Sequence, residues 1–585
     1  MGIYVRQEEK PRKKHGCLWA VIVCAVLYVA MCGIMGAMMG SMFSTPSASL
    51  EENTIYRIDL DGVLVEQAPA DDPFAALLSS TSFSGYNNQN TVGLDDLLSN
   101  IRLAKDNDKV LGIYLRGGSL QMAPASAKAI RDALLDFKQS GKFVIAYADS
   151  YGQTNYYVAS VADKVFLNAV GSVAWDGLSA QKMYYTRLLD KIGVEMQILK
   201  VGTFKSAVEP YFRTSMSDAD REQTRQYITG IWEEMTTAVG LSRQLTPEQL
   251  NAYADEYMSL QPEYKYVNYG LVDTLVYVQD MDSVLRAYAG TKDYKTMSTS
   301  RMATVKRASV KATDEIAVLY ADGEITDDSG SGIVGTKMVK TIKEIAKDKN
   351  VKAIVLRVNS PGGSANASEQ IWHAVKTLQA KGLPVVVSMG DYAASGGYYI
   401  SCEADYIYAE PTTLTGSIGI FGTVPNLGKL RDKVGIDIDG VGTNQHSDLQ
   451  VNMVYKGMNA DEYRLMQNMV ERGYDLFTSR CAEGRGMSQD AIKAIGEGRV
   501  WLGKEAVEIG LVDELGNIDD AICKAAELAE IGQYALTYYP EKEDPMESLL
   551  SIFDNSTPEE RLMMQVREFV SEPRIMALMP KVEIK

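Results

Sequence analysis

A chain of 585 residues is too long for one hydrophobic core, and with 46% apolar residues it has material for at least two. Its formal net charge of −17, with no long basic stripe to neutralise phosphates, excludes a nucleic-acid binder. Six cysteines without C-x-x-C spacing and three histidines (His15, His373 and His446) form neither a disulfide framework nor a zinc pattern, so no metal or other cofactor is expected.

Residues 1–16 are basic, with Arg6, Lys10, Arg12, Lys13 and Lys14, and residues 17–43 are uncharged. That run is long enough to cross a bilayer core of about 30 Å, and its basic flank should stay cytoplasmic, which puts the body of the protein outside the membrane. It exceeds the apolar core of a cleaved signal peptide, and Ser44-Thr-Pro-Ser-Ala48 is a poor cleavage site. Myristoylation at Gly2 is disfavoured because Arg6 stands where Ser or Thr is needed. A strand at Ile55 to Leu60 leads into a Ser/Asn-rich loop from Ala68 to Thr91, read as a mobile insertion. Strands then alternate with helices: Val110 to Leu115, a helix from Ser126 to Ser140, Phe143 to Ala146, a helix from Thr154, Lys164 to Leu167, and a helix from Ser179 to Ile192. This βαβ rhythm predicts an α/β fold.

The rhythm occurs twice. Val161-Ala-Asp-Lys-Val-Phe matches Glu403-Ala-Asp-Tyr-Ile-Tyr, and Arg187-Leu-Leu-Asp-Lys-Ile-Gly-Val-Glu matches Lys429-Leu-Arg-Asp-Lys-Val-Gly-Ile-Asp, both at a spacing of 242 residues. Gly270-Leu-Val-Asp returns as Gly510-Leu-Val-Asp, and Leu60-Asp-Gly62 corresponds to Ala321-Asp-Gly323. A period this long means a duplicated domain rather than a solenoid. The expected plan is a first repeat over 54–290, a basic Ser/Thr-rich linker over 291–313, a second repeat over 314–530 and a helical extension over 531–585. The amphipathic stretch Arg561 to Met579 in that extension reads as a packing or subunit-contact helix.

In the second repeat, the apolar run Leu383-Pro-Val-Val-Val387 precedes Asp391-Tyr-Ala-Ala-Ser395-Gly-Gly-Tyr-Tyr-Ile-Ser401. A buried strand breaking at Ser388-Met389-Gly390 and restarting as a small-residue helix would put Ser395 at a helix N-terminus, a favourable place to form an oxyanion. Taken alone, such small residues serve equally to pack a helix closely on a sheet. The two copies differ in a telling way. Ser395 stands opposite Gln153, and Lys205, in Lys200-Val-Gly-Thr-Phe-Lys205-Ser-Ala-Val-Glu-Pro210, stands opposite Gln445. One copy keeps a serine and lacks the lysine; the other does the reverse. A serine hydroxyl needs a base, and a lysine serves only when desolvation keeps it neutral, so the exchange suits one site built across both halves. Arg357-Val-Asn-Ser-Pro-Gly-Gly-Ser364 adds a glycine turn able to present N–H groups to an anion.

These residues, together with Leu414-Thr-Gly-Ser-Ile-Gly-Ile-Phe421, resemble the long, duplicated form of the signal peptide peptidase A family. The resemblance spans the anchor through Gly510-Leu-Val-Asp and weakens after about residue 525. It implies a single-pass serine protease of the bacterial inner membrane, N-terminus cytoplasmic and body periplasmic, built from two tandem Clp protease/crotonase-like domains. By its motifs Ser395 is the nucleophile, Lys205 the general base, Ser417 the hydroxyl that orients the lysine, and Gly396 with the Gly362-Gly363 turn the oxyanion hole. It further implies signal-peptide remnants as substrates and a bowl-shaped homotetramer. Three other readings compete: His446 as base with Asp448, a crotonase-like acyl-CoA enzyme, and a catalytically silent membrane scaffold.

Overall fold

The computed structural model describes residues 48–68, 91–307, 312–330, 332–540, 574–579 and 583–584. Its centre is a pair of parallel sheets with the same strand order. The first runs Lys295–Ser298, Thr54–Asp59, Val110–Arg116, Phe143–Tyr151, Lys164–Val173, Thr274–Leu275. The second runs Ala535–Tyr539, Glu315–Asp322, Val351–Ser360, Val385–Ala394, Tyr406–Ala409, Glu514–Leu515. Matching order strand for strand is what tandem duplication produces. Beside the far end of Val385–Ala394 the second sheet adds Leu414–Gly416, then the antiparallel Val500–Leu502.

Both faces of each sheet are covered, so its strands are almost continuously apolar. In the first, Ile113, Leu115, Val144 and Ala146 point into the larger core, while Tyr114, Ile145 and Tyr147 point into a smaller one on the other face. The helix Pro124–Lys138 closes the larger core through Ala127, Ile130, Leu134 and Phe137, which recur at helical spacing. Met281 and Leu285 of the helix Met281–Ala289 close the smaller. Each such side chain contributes about 1.5–3 kcal/mol by leaving water.

A third sheet joins the halves. Its order is Ile333–Val334, Ile325–Thr326, Gly362–Ser364, Arg574–Leu578, Phe421–Asn426, Glu195–Lys200, so the last strand comes from the first half and the others from the second half and the chain's end. Glu195–Lys200 pairs antiparallel with Phe421–Asn426 over six residues, from Glu195 opposite Asn426 to Lys200 opposite Phe421. A buried ion pair adds to this junction: Arg357 Nε and Nη2 meet the Glu66 carboxylate at 3.0 and 3.1 Å. Gly390 leaves it room, since a Cβ there would come within 2.9 Å of Glu66 Oε1.

Several expectations need correction. The strand before Ser395 does not break at Ser388-Met389-Gly390; it continues to Ala394, because Arg357 and Val358 of the neighbouring strand pair with Ser388 and Met389 and hold them in the ladder. The helix read over Ser179 to Ile192 covers only Thr186–Ile192, its N-terminal part being extended. The stretch read as a linker supplies Lys295–Ser298 to the edge of the first sheet and a helix Thr299–Ala303, whose Met302 is buried in that half's core. In the extension read as helical, the described residues form strands because each finds a backbone partner: Ala535–Tyr539 at the edge of the second sheet, Arg574–Leu578 between two strands of the third, and Glu583–Ile584 beside Ala180–Gln181. The expected anchor at 17–43, the loop interior from 69 to 90 and most of the amphipathic stretch from 561 onward lie outside the described residues. Among the described residues no helix is long and apolar enough to cross a membrane.

Candidate active site

Ser395 sits where the strand Val385–Ala394 turns into the short helix Gly396–Ser401, and it caps that helix with φ 56° and ψ −113°. A non-glycine residue held there stores about 1–3 kcal/mol of backbone strain. The geometry is that of a nucleophile elbow, a sharp strand-to-helix turn that pushes a hydroxyl out of the backbone's way. Its N–H donates to Gly416 O at 2.8 Å, which fixes the turn against the loop carrying Ser417. Ser417 also has positive φ, 48°.

Lys205 reaches this point because of the cross-half sheet. After Lys200, Val201 N donates to Ile420 O at 3.1 Å and Phe204 N to Glu497 O at 3.0 Å, so the lysine loop is moored to the second half on both sides. Gln223 tightens it further, its Nε2 donating to Phe204 O and Ser206 Oγ at 3.1 Å each, while its Oε1 accepts from Val500 N. Gly498, at φ +79°, lets the backbones touch: a Cβ on it would lie 2.7 Å from Lys205 N and Cβ.

The lysine side chain is fully buried. Nζ lies 2.7 Å from Ser395 Oγ, and 3.1 Å from both Ser417 Oγ and Ser417 O. The Phe421 ring stands 6.0 Å away. Burial pushes the amine well below its ordinary value of 10.5, with no carboxylate to counter it. A neutral amine beside a hydroxyl can take its proton, and the Ser417 oxygens hold that amine in line.

The glycine turn faces the same point. Gly362, at φ +101°, could carry no Cβ, which would fall 2.7 Å from Gly396 N, and a Cβ on Gly396 would come 3.1 Å from Gly363 N. Gly362, Gly363 and Gly396 thus bring bare backbone together around one small space next to Ser395, the requirement for an oxyanion hole of N–H donors. All six residues singled out in the sequence converge here.

In the first half, the corresponding position is filled. Gln153 Oε1 accepts from Asp176 N and Gly177 N at 2.9 and 3.0 Å, and Trp175, at the 242-residue spacing from Ser417, is fully buried. Gln445, opposite Lys205, is exposed. Among the described residues Nδ1 of His446 has no hydrogen-bond partner, while Ser395 is engaged by Lys205, so the histidine alternative gains no support. Gln223, Gly498 and Phe421 escaped the sequence reading. Phe421 lay inside a motif already singled out, but nothing local tied Gln223 or Gly498 to Lys205, since both act through contacts distant along the chain.

The model of peptidase family S49 matches the chain twice, over residues 136–292 and 377–532. Protease 4 of Salmonella typhi is 37% identical over 520 residues, covering 87% of this chain and 83% of its own. Protease 4 of Haemophilus influenzae is 34% identical over 500 residues, covering 82% and 80%. The chloroplastic serine protease SPPA of Arabidopsis thaliana is 29% identical over 506 residues, covering 84% and 71%.

Proposed function

The chain belongs to peptidase family S49 and is a serine protease, and from that premise we propose that it works through a Ser395–Lys205 dyad assembled across its two halves, each on a Clp protease/crotonase-like fold. The observation that carries this reading is the 2.7 Å approach of Nζ to Oγ in a fully buried site where burial favours the neutral amine. Ser395 Oγ attacks a peptide carbonyl as its proton passes to Lys205. The N–H groups of Gly396 and Gly363 receive the oxyanion, each worth about 10²-fold or more in rate. Lys205 returns the proton to the leaving amine, and water, deprotonated by the same lysine, hydrolyses the ester. Ser417 keeps the amine pointed at Oγ throughout. The acyl-CoA and silent-scaffold readings leave membership of a peptidase family unexplained.

The substrates proposed are signal peptides left in the membrane and similar membrane-derived peptides, cut by a body tethered outside the cytoplasmic membrane by residues 17–43. A ring of copies, a tetramer by resemblance, is proposed as the assembly. What supports a ring is the head-to-tail character of the junction between halves. Residues 195–200 pair with 421–426. The equivalent of the first strand at the 242-residue spacing, 437–442, is exposed apart from half-buried Ile438, while the equivalent of the second, 179–184, is already paired in part, Ala180 and Gln181 with Ile584 and Glu583. A contact between two unlike surfaces generates rings when it is repeated between copies. The test of the dyad is acylation of Ser395 by a serine-directed phosphonate probe in the wild type, Lys205→Ala and His446→Ala chains. Labelling should vanish only in the lysine variant; loss in the histidine variant instead would reverse the assignment.

A further inference from the structure

The first described residue stands beside a strongly basic stretch. Ala48 N donates to Thr304 Oγ1 at 3.3 Å, Lys109 Nζ to Leu50 O at 3.1 Å and Lys295 N to Asn53 O at 3.0 Å. Residues 48–53 are therefore laid along the edge strand Lys295–Ser298 and the helix Thr299–Ala303. Between positions 286 and 307 the chain carries Arg286, Lys292, Lys295, Arg301, Lys306 and Arg307 against a single acid, Asp293, in a protein whose net charge is −17. Arg286, Lys292, Lys295 and Arg301 line a cleft of about 430 Å³ that they share with Glu51 and Asp282. Asp282 is taken up by Arg286 and Tyr294, at 2.7 and 2.8 Å, and Arg307 is turned aside to Ser99 and Asn100. Lys292, Lys295, Arg301 and Lys306 are exposed, and among the described residues no carboxylate lies within salt-bridge distance of them. A single exposed lysine is ordinarily a solvated charge. Four cations without partners, gathered on one face of an acidic protein, make a surface that attracts anions.

The expected anchor says which anion is at hand. Four residues separate Phe43, where that span ends, from Ala48, and a chain of this length reaches at most about 18 Å. A face fixed beside Ala48 is thus kept close to the headgroups, and a small tilt of the body brings its side chains inside the roughly 8 Å over which charges act at physiological ionic strength. We propose that the face formed by Lys292, Lys295, Arg301 and Lys306 docks on anionic phospholipid headgroups and seats a headgroup phosphate in the cleft. The inference rests on the anchor reading above and adds an orientation to it. Each cation close to an anionic surface is worth about fivefold in partitioning. Docking therefore fixes which face of the body lies on the bilayer, where a four-residue tether alone would let it turn. The acidic remainder of the chain is repelled by the same surface, which sharpens the choice.

The test places the full-length chain in lipid nanodiscs of phosphatidylcholine alone or with phosphatidylglycerol added, treats them briefly with an amine-acetylating reagent, and reads each lysine by peptide mass spectrometry. Acetylation of Lys292, Lys295 and Lys306 should slow by about fivefold or more in the anionic discs and recover at high salt. Lys340, exposed on the second half, should react equally in both. Lys292→Glu combined with Arg301→Glu should remove the slowing at Lys295 and Lys306 and leave casein hydrolysis unchanged. Equal rates in the two lipids, with the chain still held in the discs, would overturn docking and leave the anchor standing. Slowing that includes Lys340 would overturn it as well, and so would equal slowing by inorganic phosphate in neutral discs, which marks a site for free anions. If the chain does not co-purify with the discs, the anchor reading falls and docking falls with it.

Discussion

Replacing Lys205 by methionine should abolish hydrolysis and yet make the folded protein more stable at neutral pH. The amine is fully buried and desolvation holds its pKa well below 10.5. In the unfolded chain a lysine titrates near 10.4, so folding at pH 7 with a neutral amine requires removing a proton at a cost of about 4–5 kcal/mol. Methionine has a similar length and carries no proton to remove. Against this, the substitution leaves the Ser395 and Ser417 hydroxyls without their contacts to Nζ, a loss of about 1–3 kcal/mol. The net gain expected is about 1–4 kcal/mol at pH 7. Between the native pKa and about 10.4 the unfolded state holds the extra proton, so wild-type stability rises with pH over that window, and the advantage of methionine vanishes within it and reverses at its upper end, where only the lost contacts remain. Urea unfolding of both chains at pH 7, 8, 9 and 10, read beside peptide hydrolysis, measures this. A methionine variant that is less stable at pH 7, or whose difference from wild type does not change with pH, would mean that the native lysine keeps its proton, and the general-base assignment would be lost.

Ser395→Ala should reduce hydrolysis by at least about 10⁴-fold, whereas Ser395→Gly, equally inactive, should gain about 1 kcal/mol in urea unfolding by relieving a φ of 56°. Gly498→Ala should displace the Lys205 backbone, 2.7 Å from the new Cβ, lowering kcat by about 10²-fold or more while KM for a short peptide changes little. Glu66→Gln should strand the buried Arg357 guanidinium and cost about 3–5 kcal/mol by calorimetry, because it removes one partner of a desolvated pair. Glu410, buried with its Oε2 3.5 Å from Lys128 Nζ, is pushed up to about 7 by burial. The native state therefore binds the extra proton between about 4.3 and 7, and stability falls as pH rises through that range. Glu410→Gln should escape the fall and overtake the wild type by roughly 3 kcal/mol above pH 7, read as a difference in thermal unfolding between pH 5 and 8.

Much of the site was legible because the chain contains its own comparison. A serine facing Gln153 and a lysine facing Gln445 need no structure to be noticed, and the glycine turn followed from its residue types. Misread elements were those decided by contacts distant along the chain. Ser388-Met389-Gly390 looks like a strand break locally, yet its ladder with Arg357 and Val358 carries the strand to Ala394. Met576, Ala577 and Leu578 favour a helix by intrinsic propensity, and the vacancy between two strands overrides that preference. Positive φ at Ser395 and Ser417 leaves no trace in residue type, since strain of this kind is imposed by surroundings.

Lys205 leaves the ribosome long before Ser395, and the glycine and glutamate that moor its loop, Gly498 and Glu497, later still. On the proposed dyad, a nascent chain is harmless to its neighbours until Ser395 and the residues that moor the lysine loop have emerged, because no shorter product holds the attacking group and the base in their proper places. Hydrolytic power then arrives in one step rather than by degrees.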